Sequence, residues 1–337
     1  MHLIDRVYGE SYIDEPVIRR LIDTPTMRRL EGITQYGLPR LFYPAEGFSR
    51  FEHSVGVMIL LRNLRAGLSQ VVAGLLHDVS HTAFSHVTDG VFGDSDSHNA
   101  QDERHAGFVM ASELPGVISA HGLDPVKVAD LERHKLLDRE TPDLCADRVD
   151  YALREFAFYM PAERLAKIVD DLTVFDGRII FSTYDSAETF GVNYMNCHLA
   201  KWASPEKTVR QHLFARMLRL ALASDVLRVE DLFQDDQHAL NKLVESKDPR
   251  VIAGIRMLSS EMLFVESERR PQLTLSRRLR YVDPEFIDNS QVLRLSSVSS
   301  TYRRILESHK DLHRRPLRIS FTGRIGPHAA WAISQPS

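Results

Sequence analysis

Two neighbouring helical patterns each carry an ionisable side chain on the face that must be buried. In residues 52–64, apolar side chains recur at the spacing of a helix that packs one face inward: Val57, Leu60, Leu61 and Leu64. His53 lies on that same face, one turn earlier. Residues 70–78 repeat the pattern after a Gly-Leu-Ser break, with Asp78 on the apolar face. If the two helices form an antiparallel hairpin, the helical rise brings His77 back to His53.

The composition is that of a soluble globular protein with a sizeable core. The chain has 337 residues, of which 43% are hydrophobic and 26% are charged. Its apolar runs are far shorter than the roughly 20 residues of a membrane helix, and its amino terminus has no signal-peptide core. Two cysteines, Cys145 and Cys197, cannot build a disulfide framework. We therefore expect a cytoplasmic protein that does not associate with membranes.

The net charge of the chain limits the kinds of ligand that it is expected to bind. A formal net charge of -4 does not indicate a protein that grips nucleic acid by its phosphates. A nucleotide remains a reasonable ligand.

The sequence predicts a mostly α fold with a small β-hairpin. Further helices are expected at residues 15–22, 103–113, 144–158 and 208–227. Residues 174–181 resemble two strands around an Asp-Gly turn, and residues 93–97 a polar loop. We expect a catalytic core over residues 1–165. Residues 166–337 would form a mainly helical region with short strands that completes the pocket and offers an oligomer interface.

A third stretch supplies another inward carboxylate. Asp147 shares a helical face with Leu144 and Tyr151, whereas Asp150 points to another side and is the weaker candidate. Alone, an inward histidine is more often a hydrogen-bonded core residue, and a lone aspartate is more often half of an ion pair. Together, four such groups need compensation by a cation. We predict one divalent ion, Mn, Fe, Ni, Co, Mg or Zn, held by His53, His77, Asp78 and Asp147.

A second set of polar side chains follows His77 within a few residues. A straight helix would place His86 about 140° around from His81, so both face one site only if the backbone breaks between them. Asp89, three residues after His86, can then pair with it, and an imidazole held by a carboxylate is a suitable proton donor. We interpret His81, His86 and Asp89 as an acid/base and phosphate-contact group. The alternative is a polar surface loop.

Several motifs resemble the HD-domain metal-dependent phosphohydrolases, in the order H, HD, D. They are SRFEHSVGV at 49–57, GLLHD at 74–78, FSH at 84–86 and DRVDY at 147–151. The preceding LIDTP at 21–25, QYG at 35–37 and YP at 43–44 are most similar to the deoxynucleoside triphosphate triphosphohydrolase (dNTPase) branch. The resemblance covers residues 1–160, and RYVDP at 280–284 is similar to carboxy-terminal segments of bacterial members.

The resemblance implies roles for individual residues. It assigns the metal to the four residues above and catalysis to His81, His86 and Asp89, with His105 added by a one-residue shift from Arg104. It also implies a nucleotide contact for five residues: Gln35, Arg50, Tyr151, Glu155 and Lys207. Glu155 departs from the usual aspartate, which bears on the preference for deoxyribose.

The implied activity is hydrolysis of dNTPs to deoxynucleoside and triphosphate by a homo-oligomer. The nearest alternative is a nucleoside monophosphate phosphatase, or a hydrolase of another small phosphoester. A non-catalytic nucleotide sensor and a di-iron oxygenase are further alternatives. The oxygenase would recruit His98 or His105 and His121 or His134 to a second iron.

Overall fold

The computed structural model describes residues 1–91, 99–260, 264–269, 271–277 and 279–322, and it confirms a mostly helical fold. The helices are α1 Pro16–Ile22, α2 Pro25–Arg29, α3 Arg50–Asn63, α4 Leu68–Leu76, α5 Asn99–Ala111, α6 Leu114–Ala120, α7 Pro125–Ala129, α8 Ala146–Phe156, α9 Ala162–Asp170, α10 Tyr184–Cys197, α11 Pro205–Ala223, α12 Val229–Leu232, α13 Asp236–Val244, α14 Pro249–Ser259, α15 Leu295–Val298 and α16 Ser300–His313. The strands are β1 His2–Asp5, β2 Gly9–Tyr12, β3 Leu172–Phe175, β4 Arg178–Phe181, β5 Phe264–Glu266, β6 Leu273–Leu275, β7 Glu285–Asp288, β8 Gln291–Arg294 and β9 Leu317–Phe321. Short 3-10 turns occur at Leu30–Gly32, Ser85–Val87 and Leu131–Arg133, and a π-helical turn at His198–Trp202.

Helices α3 and α4 form the predicted hairpin. Ser49 caps α3 by accepting a hydrogen bond from the Glu52 amide, while the Glu52 side chain accepts one from the Ser49 amide. The helices approach closely at Gly74, where a Cβ would lie 2.4 Å from Leu61 Cδ1. Helix α4 ends at Leu76, earlier than the sequence pattern indicates, so His77 and Asp78 lie in the turn that follows it.

The strands form three small sheets. The predicted hairpin at residues 174–181 is confirmed as β3 and β4, with Asp176 (φ 48°) and Gly177 (φ 68°) both left-handed in the turn. Strand β7 pairs parallel to β4, and β8 pairs antiparallel to β7. An antiparallel hairpin of β1 and β2 opens the chain, and β5-β9-β6 forms the third sheet.

Two apolar cores organise the molecule. The larger contains the buried faces of α3, α4, α8, α10 and α16, so residues on both sides of position 165 share it. The second contains α11, α13 and α14 with β6, β9 and residues near Phe42 and Phe84. The division at residue 165 stays a prediction. Helix α5 begins before the helix predicted at residues 103–113 and ends at Ala111, and the loop predicted at 93–97 lies outside the described residues.

No helix among the described residues combines the length and hydropathy needed to cross a lipid bilayer.

Candidate metal centre and substrate pocket

Three of the four predicted ligands, His53, His77 and Asp147, converge near the carboxyl end of α4 and the amino end of α8. Their ligand atoms lie within 4.8 Å of one another, with His53 Nε2 2.9 Å from Asp147 Oδ1 and 3.2 Å from His77 Nε2. His77 Nε2 is 3.7 Å from Asp147 Oδ1. When several ligand atoms each lie about 2.0–2.2 Å from one ion, the distances between those ligand atoms are similar to the ones seen here. The three side chains are therefore spaced to hold a single cation.

Asp78 flanks this group and is fixed from behind. Its Oδ1 lies 3.5 Å from His77 Nε2 and its Oδ2 lies 3.8 Å from His53 Nε2. Arg50 donates to Asp78 Oδ2 at 2.6 Å, and His81 Nε2 lies 3.2 Å from Oδ1. The structure thus brings all four predicted ligands together.

Hydrogen bonds on the far side of each ring orient both histidines. His53 Nδ1 is 2.7 Å from Asp150 Oδ2, and His77 Nδ1 is 2.8 Å from the Gly74 carbonyl oxygen. Because both partners are acceptors, each ring carries a proton on Nδ1 and aims Nε2 at the centre. Two Nε2 atoms and the flanking carboxylates form a nitrogen and oxygen donor set that fits a divalent cation.

The electrostatics favour positive charge at this centre. Burial disfavours protonation of His53, but its hydrogen bonds to Asp147 and Asp150 raise its pKa to about 9. Burial would raise the pKa of Asp147, but hydrogen bonds from His53 and His77 hold it well below its usual range. Burial would likewise raise the pKa of Asp78, but the positive charge of Arg50 lowers it. The carboxylates of Asp78 and Asp147 therefore stay ionised beside the two imidazoles.

One other group of potential ligands occurs among the described residues, and it does not suit a cation. It consists of Asp138, Cys145 and Asp147. Arg148 Nη1 lies 3.2 Å from Cys145 Sγ, and burial raises the pKa of that thiol to about 12. The thiol therefore stays protonated beside a guanidinium.

The histidines proposed for a second iron do not converge within the described part of the chain. His121 bonds the Val117 carbonyl oxygen and His134 that of Lys127. His105 Nδ1 lies 3.3 Å from Ser80 Oγ, and burial lowers the pKa of His105 to about 4. His105 is not among the residues that line the substrate pocket described below, so the catalytic role predicted for it stays a prediction. His98 lies outside the described residues.

A break in the backbone brings His81 and His86 together. Phe84 (φ 63°) and Ser85 (φ 47°) are left-handed, which ends any helical continuation from Ser80. The two imidazole rings lie perpendicular with centroids 5.2 Å apart, and His86 Nδ1 donates to Asp89 Oδ2 at 2.9 Å. Burial, then the charge of Arg50, lowers the pKa of His81 to about 3. Burial also lowers the pKa of His86, against the hydrogen bond with Asp89.

A pocket of about 860 Å³, including its open mouth, lies beside the metal centre. Five predicted site residues line it: Gln35, His86, Tyr151, Glu155 and Lys207. The other lining residues include aromatic and polar side chains: Tyr36, Phe48, His198, Trp202, Thr208, Gln211, Ser276 and Arg280. The pocket therefore combines flat apolar surface with a few charged groups, as small-molecule sites do.

Glu155 is held by three donors at the wall of this pocket. Lys201 Nζ donates to Glu155 Oε2 at 2.9 Å, Trp202 Nε1 donates to Oε1 at 3.0 Å, and the Tyr36 hydroxyl donates to the same carboxylate. Glu155 is only 1% exposed. This carboxylate thus fixes the orientation of Tyr36 and Trp202.

Two cations face the pocket, and among the described residues neither forms an ion pair with a carboxylate. Lys207 Nζ lies 4.7 Å from the centre of the Tyr36 ring, and the Arg280 guanidinium 6.0 Å from that of Tyr151. Burial, and then repulsion by Arg280 against the pull of Glu155, lowers the pKa of Lys207 to about 8. This end of the pocket is therefore suited to an anion.

Arg50 lies behind the metal centre, outside the lining of the pocket. It is 1% exposed, and its Nε donates to Ser85 Oγ at 2.7 Å in addition to its bond with Asp78. Its Nη2 is buried without a hydrogen-bond partner in the part of the chain that the structure describes. The phosphate contact predicted for Arg50 stays a prediction.

Three residues that matter here were not predicted from the sequence as site residues. Asp150 bonds a metal-facing histidine, Arg280 supplies a second cation, and His198 contributes an imidazole to the pocket wall. Arg280 is the first residue of the RYVDP motif. That motif is similar to segments of bacterial family members, but it does not indicate that Arg280 faces the pocket. No local pattern marks His198.

The fold and site together define a metal-dependent phosphohydrolase of the HD class. The model of the HD domain matches residues 50–175. The chain is 32% identical to the uncharacterised protein YdhJ of Bacillus subtilis, over 91% of this chain and 95% of that protein. It is 28% identical to the metal-dependent phosphohydrolase cns2 of Cordyceps militaris, over 83% of each. The chain belongs to the HD-domain family of metal-dependent phosphohydrolases.

Other similarities agree with this assignment. The human deoxynucleoside triphosphate triphosphohydrolase SAMHD1 is 31% identical over 42% of this chain and 24% of its own length. The crystal structure of a phosphohydrolase from Bacteroides thetaiotaomicron has the same fold, with a TM-score of 0.73 over 96% of this chain and all of that one, at 18% identity.

Proposed function

We propose that this chain hydrolyses nucleotides, taking dNTPs to deoxynucleoside and triphosphate. The observation that carries the proposal is a pocket beside the metal centre whose lining includes two cations, Lys207 and Arg280, that have no carboxylate partner among the described residues. Buried cations without such partners are costly unless an anion arrives to pair with them. A polyphosphate lying along this end of the pocket supplies that charge.

His86 is the proposed proton donor. It lines the pocket, and Asp89 holds its Nδ1, so its Nε2 is free to serve the leaving oxygen. In the reaction, the oxygen of a water joins the α-phosphorus and releases a proton to solvent, the bond from that phosphorus to the 5′ oxygen breaks, and the 5′ oxygen takes a proton from His86. An incoming phosphate adds negative charge near His86 and favours its protonated form.

The metal centre would be occupied by a divalent ion held by His53, His77, Asp78 and Asp147. When bound, such an ion polarises a phosphoryl oxygen and lowers the pKa of water. Arg50 and His81 hold Asp78 in place behind this centre.

Aromatic side chains would receive the nucleoside. Tyr151 packs edge-on against Trp202, with ring centroids 5.2 Å apart, and Glu155 fixes Tyr36 opposite Lys207. Gln35 and Gln211 add amide groups to the same wall. Flat aromatic surface with a few polar groups suits a base and a sugar.

A product assay tests this proposal. The purified protein would be incubated with dNTPs, NTPs and nucleoside monophosphates in the presence of Mn, Mg, Ni or Fe, and the products separated by chromatography. We expect intact triphosphate and a nucleoside. Orthophosphate as the sole phosphorus product would reject this cleavage position and favour the monophosphatase alternative, and tight nucleotide binding without turnover would favour a sensor.

We further propose that the protein works in the cytoplasm as a homo-oligomer. Both cysteines are free and buried, as suits a reducing compartment. The oligomer rests on the similarity to dNTPases. Size-exclusion chromatography with light scattering would measure the mass against the 38.4 kDa of one chain.

A further inference from the structure

A line of buried charges runs from the amino-terminal hairpin to the metal centre. Asp150 Oδ2 bonds His53 Nδ1 at 2.7 Å and accepts from Arg154 Nε at 2.8 Å. Arg154 Nη2 donates to Asp5 Oδ2 at 2.7 Å. Asp5 ends strand β1, so four contiguous side chains connect β1 to a metal-facing imidazole.

These side chains are shielded from water. The side chains of His53, Asp150 and Arg154 are all 0% exposed, and that of Asp5 is 8% exposed. Charged hydrogen bonds are strongest where water does not compete, and a buried charge without its partner is costly. Each link therefore constrains the next.

The hairpin turn fixes the far end of this line. Asp5 Oδ1 accepts hydrogen bonds from the amides of Val7 at 2.8 Å and Tyr8 at 3.1 Å, which leaves Oδ2 for Arg154. The two carboxylate oxygens thus have separate tasks. One closes the turn between β1 and β2, and the other holds the guanidinium.

Helix α3 leaves room for Arg154 only because residue 56 is glycine. A Cβ on Gly56 would lie 1.8 Å from Arg154 Nη2 and 2.1 Å from Asp150 Oδ1. Gly56 is three residues after His53 on α3. The contact between helix α3 and the Asp150 and Arg154 side chains therefore shapes the environment of the metal-facing ring.

We infer that Asp5 and Arg154 are positioning residues of the metal centre. Through them, the β1-β2 hairpin helps to orient the metal-facing imidazole of His53. Arg154 uses two nitrogens of one planar group to hold Asp5 and Asp150 in register. Asp150 in turn fixes the plane and the proton of His53. This inference rests on the metal site of the proposed function.

The test compares metal affinity across a set of variants. Asp150→Asn is expected to weaken Mn²⁺ or Co²⁺ binding by about 10–100-fold, the usual effect of removing the partner of a ligating histidine. Asp5→Asn, which leaves that partner in place, should weaken binding less, and in the Asp150→Asn background it should add almost nothing. Glu10→Gln is the matched control, because Glu10 lies on the same hairpin, is exposed and lies outside this line.

The readouts are the dissociation constant, measured by competition with a coloured chelator, and the visible spectrum of the Co²⁺-loaded protein. A wild type that binds no ion would overturn the metal centre and this inference together. A wild type that binds, beside an Asp5→Asn variant with unchanged affinity and Co²⁺ spectrum, would overturn the inference alone. The same applies if the losses from Asp5→Asn and Asp150→Asn simply add.

A second variant covers the case in which Asp5→Asn does not fold. Arg154→Lys keeps the buried charge but lacks the fork that reaches both carboxylates. We expect a folded protein by circular dichroism with weaker metal binding and a changed Co²⁺ spectrum. Unchanged metal binding in a folded Arg154→Lys protein would contradict the inference.

Discussion

At the scale of single residues, the imidazole of His53 is held on both sides: its Nε2 lies 2.9 Å from Asp147 Oδ1, and its Nδ1 lies 2.7 Å from Asp150 Oδ2. Helical spacing predicted the candidate ligands His53 and Asp147 but not the side chain that orients the ring. His53 and His77 follow from helical periodicity, because a buried hairpin has to bring its inward faces together. Asp147 follows from the same reasoning on α8. Asp150 was set aside as pointing elsewhere, whereas it bonds the far nitrogen of His53. A single helix face cannot show which neighbour lies behind a ring.

The first prediction concerns Asp147, the proposed metal ligand on α8. Asp147→Asn removes a negative charge and a ligand oxygen, so metal affinity should fall by more than the roughly 10–100-fold typical of partners behind a ligand. Hydrolysis of dNTPs should fall in parallel. Isothermal titration with Mn²⁺ measures the first effect and product chromatography the second. Asp170→Asn, an exposed change at the end of α9, is the control, and equal affinities in the two variants would contradict the assignment.

The second prediction is a pH dependence that belongs to Lys207. Its pKa is lowered to about 8, so in the free protein its positive charge is present below pH 8 and is lost above it. If this charge binds phosphate, KM for a dNTP should rise as pH increases from 8 to 9.5, by up to about tenfold per unit. Lys207→Gln should have a high KM that stays flat over the same range. An identical rise in both proteins would assign the titration to another group.

At the scale of elements, regular helices were predictable and the special turns were not. The residue patterns of the local sequence predict helices α3 and α4 and the Asp-Gly hairpin. The left-handed Phe84 and Ser85 are not, because side chains other than glycine disfavour that conformation. Likewise α4 ends at Leu76 without a capping glycine, where Asp78 is held by Arg50 and His81. Tertiary contacts decide both features.

The third prediction tests the contact that supports this turn. Gly37 is left-handed (φ 71°), and a Cβ there would lie 2.3 Å from the backbone oxygen of Phe84. Gly37→Ala should therefore lower the free energy of unfolding by more than the roughly 1–2 kcal/mol of left-handed strain, and should raise KM by disturbing His86. Gly122→Ala is the matched control, with φ 76° and nothing within 4 Å. Urea unfolding of both variants gives the comparison, and equal losses would mean that the contact with Phe84 is unimportant.

At the scale of the whole molecule, the pocket assembles residues that are far apart in the chain. Tyr151 belongs to the larger core, Lys207 lies in the first turn of α11, and Arg280 lies in the segment before β7. A substrate contact was predictable for Tyr151 and Lys207, because family motifs or expected regions mark them. Arg280 depends on how the carboxy-terminal segment packs, which periodicity does not determine. The mostly helical class was predictable. The β1-β2 hairpin was not, because residues 6–8 between its strands carry no Asn-Gly or Asp-Gly turn signal.

The fourth prediction concerns the support of Arg280 by α16. The buried Tyr302 hydroxyl donates to the Val282 carbonyl oxygen at 2.5 Å, two residues from Arg280. Tyr302→Phe should lower the free energy of unfolding by about 1 kcal/mol, because the carbonyl loses its partner. It should also raise KM for a dNTP more than it raises the inhibition constant of a nucleoside monophosphate. Tyr12→Phe, at an exposed hydroxyl on β2, is the control. Equal changes in the two constants of Tyr302→Phe would mean that α16 does not support polyphosphate binding.

The proposed function depends on one divalent cation held between α3, the turn after α4 and α8. Anomalous diffraction from a crystal grown with Mn²⁺ is the decisive measurement, because the signal locates the ion without assumptions about ligands. We expect one peak per chain within about 2.0–2.3 Å of His53 Nε2, His77 Nε2 and carboxylate oxygens of Asp78 and Asp147. A strong peak elsewhere, or none at these four side chains, would contradict it.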